Sequence, residues 1–407
     1  MSEFMFATGI ECSTPTIDHG RWRLDELEAI GHYKRWKEDL HLVRQMGIRY
    51  LRYGFPIYRT FIGPGTYDWE FPDLVMNEIQ RLGIIPIIDF CHFGLPSWLG
   101  NFQNPEIVNA LPEYAEAFAK RYPWVKFYTP INEMYVTCRK SALEGAWNEQ
   151  LQSERAFVTA SVNTAQASKR IMRRLAEIDP EIVFINSESS EFYQPCCPEE
   201  RVKSIADFEN ERRFFASDLL YSHPFSDTMH EFALDNGLAE DTYNWCMATK
   251  PPANIILGVD YYTWNEKVIA RDGSIQGLGE LFGWYVITTQ YYLRYHLPMM
   301  HTETNTFDST LAPQWMWRQW HNVELMRQDN MPVVGFTWFS LHDQIDWDIG
   351  LGASIGNVNA AGLYDLNRDP RPVALAYKYL IEMFSGQNTL EANVDFLEVA
   401  QRRVTSH

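Results

Sequence analysis

Two stretches of the chain carry side chains suited to bond-breaking chemistry. Phe127-Tyr-Thr-Pro-Ile-Asn-Glu-Met134 opens as a short β-prone run and ends in an amide followed at once by a carboxylate, Asn132 and Glu133. Pro298-Met-Met-His-Thr-Glu-Thr-Asn305 has the same form and ends in Glu303. Two carboxylates at the ends of separate strands suit cleavage of an O-glycosidic bond through a covalent intermediate. One protonates the leaving oxygen and the other attacks the sugar carbon.

For these groups to meet, the elements around them must form one scaffold. Apolar runs read as strands at Phe4–Ile10, Tyr50–Phe55, Ile84–Phe90, Lys126–Glu133, Glu181–Ser187, Asn254–Tyr262, Pro298–Thr304 and Val333–Ser340. Helical periodicity follows at His32–Met46, Pro72–Leu82, Asn104–Tyr122, Ser153–Ile178, Gly279–Tyr295, Ala312–Asp329 and Pro372–Phe384. The less regular stretch Ser190–Pro252 is expected to hold one or two helices and a loop. Runs such as Ile84–Phe90 are apolar along their length, as strands covered on both faces are. Eight strand–helix alternations predict an α/β fold, a single (β/α)8 TIM barrel with extended βα loops. Residues 1–390 would form the barrel and 391–407 a C-terminal tail.

Active sites of such barrels lie at the C-terminal strand ends. Polar and aromatic groups collect there: Glu11, Arg52, Asp89 and His92, Asn132 and Glu133, Asn186 and Glu188, Asp260 and Tyr262, Glu303, and Trp338 with His342 beyond it. On a regular strand His301 points the same way as Glu303, and no role is assigned to it.

The totals exclude several function classes. Asp and Glu number 53 against 35 Lys and Arg, a net charge of −18, which disfavours nucleic acid or an anionic membrane as partner. Six cysteines, with no C-x-x-C pair, form neither a disulfide framework nor a zinc pattern and suggest a reducing compartment. With no basic n-region and no long apolar run, a cytoplasmic location is expected. Abundant aromatic rings suit stacking on sugar faces, although core filling accounts for most of them.

The motifs resemble glycoside hydrolase family 1, the two-glutamate β-glycosidases. Thr129-Pro-Ile-Asn-Glu-Met134 is similar to the family's Thr-x-Asn-Glu-Pro, and His301-Thr-Glu-Thr-Asn305 to its Ile/Val-Thr-Glu-Asn-Gly. Phe90-Cys-His-Phe-Gly-Leu-Pro96, Gly258-Val-Asp-Tyr-Tyr262, Trp338-Phe-Ser-Leu-His-Asp-Gln-Ile-Asp-Trp347 and Ala361-Gly-Leu-Tyr-Asp-Leu366 resemble four further family motifs, in the family's order. The resemblance implies Glu133 as general acid/base, Glu303 as nucleophile, Asn132 on the sugar 2-hydroxyl, and Arg52 and Tyr262 orienting Glu303. His92, Trp338 and Trp347 would line the sugar pocket, with neither metal nor other cofactor, and a small glycoside as partner.

Three departures bear on substrate. Glu11 stands where the family has a Gln that grips sugar hydroxyls; Asp346 replaces a Glu with a similar task; Asp260 replaces an Asn. Met134 also replaces the Pro after the acid/base. The expectation is a glycone other than plain glucose, an amino or deoxy sugar, set by Glu11. Loops Tyr135–Gln150, Ser190–Pro252 and Asp343–Asn359, with Trp147, Trp245 and Trp264, would build the aglycone side. Alternatives are a sugar-binding barrel with little hydrolysis, a transglycosidase using the same glutamates, and a metallohydrolase drawing on His92, His301 and His342.

Overall fold

In the computed structural model, which describes residues 3–386, eight parallel strands each pair with their neighbours in sequence, and the first closes on the last. They are β1 (Met5–Gly9), β2 (Tyr50–Gly54), β3 (Ile85–Asp89), β4 (Phe127–Thr129), β5 (Val183–Ser189), β6 (Ile255–Asp260), β7 (Met299–His301) and β8 (Val333–Phe339). This is the (β/α)8 barrel. The expected boundary at residue 390 and the tail 391–407 lie outside the described residues.

Alternate residues of the strands pack on one another inside the barrel: Met5, Ala7, Tyr50, Ile85, Ile87, Phe127, Val183, Ile185, Ile256, Met300 and Val334. The opposite faces meet the surrounding helices, which is why the strands read as continuous apolar runs. Further along the interior face the residues turn polar: Arg52, Asp89, Thr129, Ser187 and Asp260, all buried. The apolar layers are therefore a floor beneath a polar site.

The helices enclose this barrel. They include α1 (His32–Gln45), α2 (Glu70–Arg81), α3 (Ile107–Arg121), α4 (Glu154–Ile178), α5 (Gly283–Tyr295), α6 (Ala312–Gln328) and α7 (Pro372–Phe384). Ser153 caps α4 by accepting from the Ala156 amide. The Tyr377 hydroxyl of α7 donates to the carbonyls of Ala7 at 2.7 Å and Phe336 at 3.1 Å, tying the last helix to the first and last strands.

Several strands are shorter than their apolar runs. β4 ends at Thr129 rather than Glu133 because Pro130 has no N–H for the ladder. β7 ends at His301 rather than Thr304, and the chain then bends inward. Gly258 on β6 permits that bend: a Cβ there would lie 2.5 Å from the Thr302 side chain. Ser190–Pro252 holds more structure than expected: the helices Glu200–Arg212, Phe215–Tyr221, Asp227–Asp235 and Glu240–Ala248. Phe192–Pro195 pairs with Glu266–Ile269, which pairs with Ile275–Gly277, making a small sheet beside the barrel mouth. Among the described residues no helix is long and apolar enough to cross a membrane.

Candidate active site

At the C-terminal ends of the strands a cavity of about 490 Å³ opens, and Glu133 and Glu303 both line it. The two carboxylates reach it by different routes. Beyond β4 the Asn132 amide donates to the Cys91 carbonyl and the Glu133 amide to the Ser187 carbonyl, each at 2.9 Å. These bonds tie the turn to the ends of β3 and β5. They hold Glu133 at φ 38°, ψ 65°, a left-handed conformation that costs a non-glycine residue about 1–3 kcal/mol. The short helix Met134–Cys138 follows at once, its Tyr135 amide donating to Glu188 at 3.2 Å.

Glu303 follows the bend after β7. Arg52 donates to its Oε1, and the Tyr262 hydroxyl donates to its Oε2 at 2.7 Å. Arg52 is itself fixed by Asp89 Oδ2 at 2.8 Å and by the Asn132 side-chain oxygen. A guanidinium can serve several acceptors because its donors form a rigid fork. Glu303 is thus a buried carboxylate with a cation and a hydroxyl on separate oxygens, 4% exposed.

Glu133 has no such cation among the described residues. Burial, reinforced by the charges of Asp260 and Glu303, holds its carboxyl well above the usual carboxylate range. Asp260 is likewise raised, first by burial and then by Glu303, and both its oxygens accept from the Ser187 hydroxyl at 2.7 and 2.8 Å. One site therefore contains a carboxylate gripped by a guanidinium and a hydroxyl and another biased toward its acid form. That is the division of labour a two-step displacement requires.

Of the other expected site residues, Glu11, His92, Tyr262 and Trp347 border the cavity. His92 does so with both ring nitrogens engaged: Nδ1 pairs with Asp89 at 2.8 Å, and Nε2 faces the Asn132 amide nitrogen at 3.2 Å. Asn132 does not line the cavity; its amide is shared between Arg52 and His92.

Trp338 and Asp346 are corrections. The pairing of β7 with β8 shifts register, with Met299 opposite Val333 and Met300 opposite Gly335. The extra residue inverts the alternation on β8. Trp338 falls on the outer face, fully buried, its Nε1 donating to the Ala361 carbonyl at 3.0 Å. Phe339 faces inward instead, 5.8 Å from the Arg52 guanidinium and stacked on His92 at 6.2 Å. Asp346 does not line the cavity either. Its carboxylate accepts the amides of Ile355, Gly356 and Asn357 at 2.7–2.9 Å and closes that loop. Gln344, two residues earlier, lines the cavity and donates to Glu11 at 3.2 Å.

Three further expectations resolve similarly. His301 stacks on Trp284 at 4.5 Å in the outer layer, diverging from Glu303 because the strand stops between them, and burial pushes its pKa down to about 3. His342 pairs with Asp39 at 3.0 Å, away from the cavity. Trp147 and Trp264 line the cavity, whereas Trp245 lies over Arg170 at 5.3 Å on a separate surface.

Sequence reasoning missed Phe339, Gln344 and the small sheet that brings Asn265 and Lys267 to the cavity wall. The aromatic pair Trp338-Phe339 was the available signal for the first. Cys12, Asp89 and His92 bring possible ligand atoms within 4.8 Å of one another, but Asp89 Oδ2 already serves both His92 and Arg52.

Residues 18–266, more than half of the chain, match the family model Glycosyl hydrolase family 1. A 131-residue stretch is 35% identical to aryl-phospho-β-D-glucosidase BglA of Bacillus subtilis, covering 30% of this chain and 27% of that protein. β-Glucosidase A of Thermotoga maritima is 22% identical over 372 residues, 81% of this chain and 82% of that one. The solved structure of a β-glucosidase from Thermotoga maritima in complex with deoxynojirimycin matches with TM-score 0.79 at 16% identity, covering 95% of this chain and 99% of that one. At that identity the likeness shows the fold.

Proposed function

The chain belongs to glycosyl hydrolase family 1, and from that premise we propose that it is a retaining β-glycosidase acting on a small glycoside. The observation that carries the reading is the unequal treatment of two carboxylates in one cavity: Glu303 clamped by Arg52 and Tyr262, Glu133 buried without a cation among the described residues. In the first step a Glu303 oxygen bonds to the anomeric carbon as the bond to the leaving oxygen breaks, and Glu133 gives that oxygen its proton. In the second step Glu133, now ionised, takes a proton from water, and the water oxygen displaces Glu303 from the anomeric carbon. Arg52 and Tyr262 orient the nucleophile, and Asn132 and Asp89 hold Arg52 in place. Trp347 supplies a wall for the sugar.

A phosphorylated glycone is the second reading, raised by the similarity to the Bacillus phospho-glucosidase. The cavity argues against it. Arg139 pairs with Glu144 and Glu209, Lys140 with Glu144 at 2.7 Å, and Lys267 with Glu191. A phosphate would have to break one of these pairs. The six cysteines, all free, are consistent with the cytoplasm.

The test is a panel of aryl β-glycosides, neutral and 6-phosphorylated, with the anomer of the first-formed sugar followed by proton NMR. Release of the β-anomer from a neutral glycoside supports the proposal. First release of the α-anomer refutes retention, and turnover confined to phosphorylated members refutes the neutral glycone.

A further inference from the structure

Glu11 lines the same cavity as Glu133 and Glu303 but takes part in neither role. It is 2% exposed. Its Oε1 accepts from the Ser13 amide at 2.9 Å and from the Ser13 hydroxyl, and its Oε2 from Gln344 at 3.2 Å. Among the described residues no lysine or arginine forms an ion pair with it. His92, on the same cavity, favours the Glu11 carboxylate through space, but both its ring nitrogens are engaged by Asp89 and Asn132 and neither bonds Glu11. Near Glu11 lies a second buried carboxylate, Glu26, which accepts from the Ile345 amide at 3.1 Å and likewise has no ion pair among the described residues. The cations elsewhere on the wall, Arg139, Lys140 and Lys267, already have carboxylate partners.

A buried carboxylate with no cation bonded to it is costly unless a ligand brings one. Serine and glutamine donors orient Glu11 without neutralising it, and its Oε2 keeps accepting capacity beyond the Gln344 bond. We infer that Glu11, held by Ser13 and Gln344, is a receptor for an ammonium group, and that the preferred glycone is an amino sugar. This rests on the proposed glycosidase activity and deepens it, because the same cavity takes the sugar. A hydroxyl in place of the ammonium brings Glu11 no bonded cation. A carboxylate or phosphate in that position is repelled.

The test compares aryl β-glucoside with its 2-, 3- and 4-amino-deoxy analogues on wild type and on Glu11→Gln, whose folding is checked by thermal melting. One amino isomer should exceed the parent glucoside in kcat/KM by at least about tenfold in wild type, as expected of a buried charge pair. That advantage should vanish in Glu11→Gln. A wild type that handles no amino isomer better than the glucoside overturns the inference, whether or not the variant folds. So does an advantage that survives in folded Glu11→Gln. Calorimetric titration of the free amino sugars separates the two readings. Binding that depends on Glu11 without turnover sinks the glycosidase and leaves the receptor standing. Turnover with no ammonium preference does the reverse.

Discussion

In the proposed mechanism Arg52 is the joint on which the nucleophile depends, and Arg52→Lys should damage catalysis far more than the retained charge suggests. The guanidinium serves three acceptors on three different elements: Glu303 after β7, Asp89 at the end of β3 and Asn132 after β4. A lysine ammonium on a single stem cannot span all three. The loss of one charge-assisted hydrogen bond is worth about 1.5–3 kcal/mol. If that loss falls on the Glu303 contact, each 1.4 kcal/mol or so is a factor of ten in rate, and kcat/KM should fall roughly 10- to 150-fold. The fall should lie mainly in kcat, because the proposed mechanism needs Glu303 at the reacting carbon rather than for ground-state binding. Arg52→Met should be worse in kind, since it leaves Glu303 and Asp89 buried without their cation. Breaking such a pair costs about 3–5 kcal/mol of stability. Steady-state kinetics on an aryl β-glycoside, with melting curves for both variants, measure the two effects. A lysine variant within twofold of wild type, or a methionine variant with unchanged melting temperature, would refute the reasoning.

Other outcomes follow from the same contacts. Asp346→Ala removes the acceptor for three backbone amides and should leave the loop 355–357 more open to proteolysis, with the ranking of glycones unchanged; a changed ranking would return Asp346 to sugar recognition. Trp338→Phe should cost stability through a lost indole bond and smaller volume while sparing kcat, whereas Phe339→Ala should cost kcat by freeing Arg52 and His92. Burial pushes Glu188 up to about 8, so the folded protein holds a proton there that the unfolded chain releases near the ordinary carboxylate range. The folded state then binds more protons than the unfolded state as pH rises between those values, and stability is lost over that window. Glu188→Gln should flatten the loss, seen as a smaller drop in melting temperature from pH 5 to pH 8 than wild type shows.

The architecture was legible because burial on both faces leaves continuous apolar runs. Ile84–Phe90 and Pro372–Phe384 were placed from pattern alone, within a residue or two and without error respectively. The two glutamates were legible because each follows a strand-like run and a motif. What failed did so where local geometry breaks periodicity. The family resemblance implied Trp338 in the pocket, but the register shift opposite Met299 and Met300 turns it to the outer face of β8. Asp346 was assigned a sugar hydroxyl by its position, but a short carboxylate beside a loop readily captures backbone amides. His301 and Glu303 were expected on one face, yet the strand ends between them. The small sheet at the barrel mouth was missed because its three-to-four-residue strands carry too little pattern to stand out from a loop.

The central claim is that Glu303 forms the covalent bond to sugar. Glu303→Ala should lose turnover of an aryl β-glycoside, and added azide should restore release of the phenol by entering the vacated space. Attack from that face gives the α-glycosyl azide, identified by its anomeric proton coupling. Formation of the β-azide, or full activity of Glu303→Ala without azide, would contradict the account.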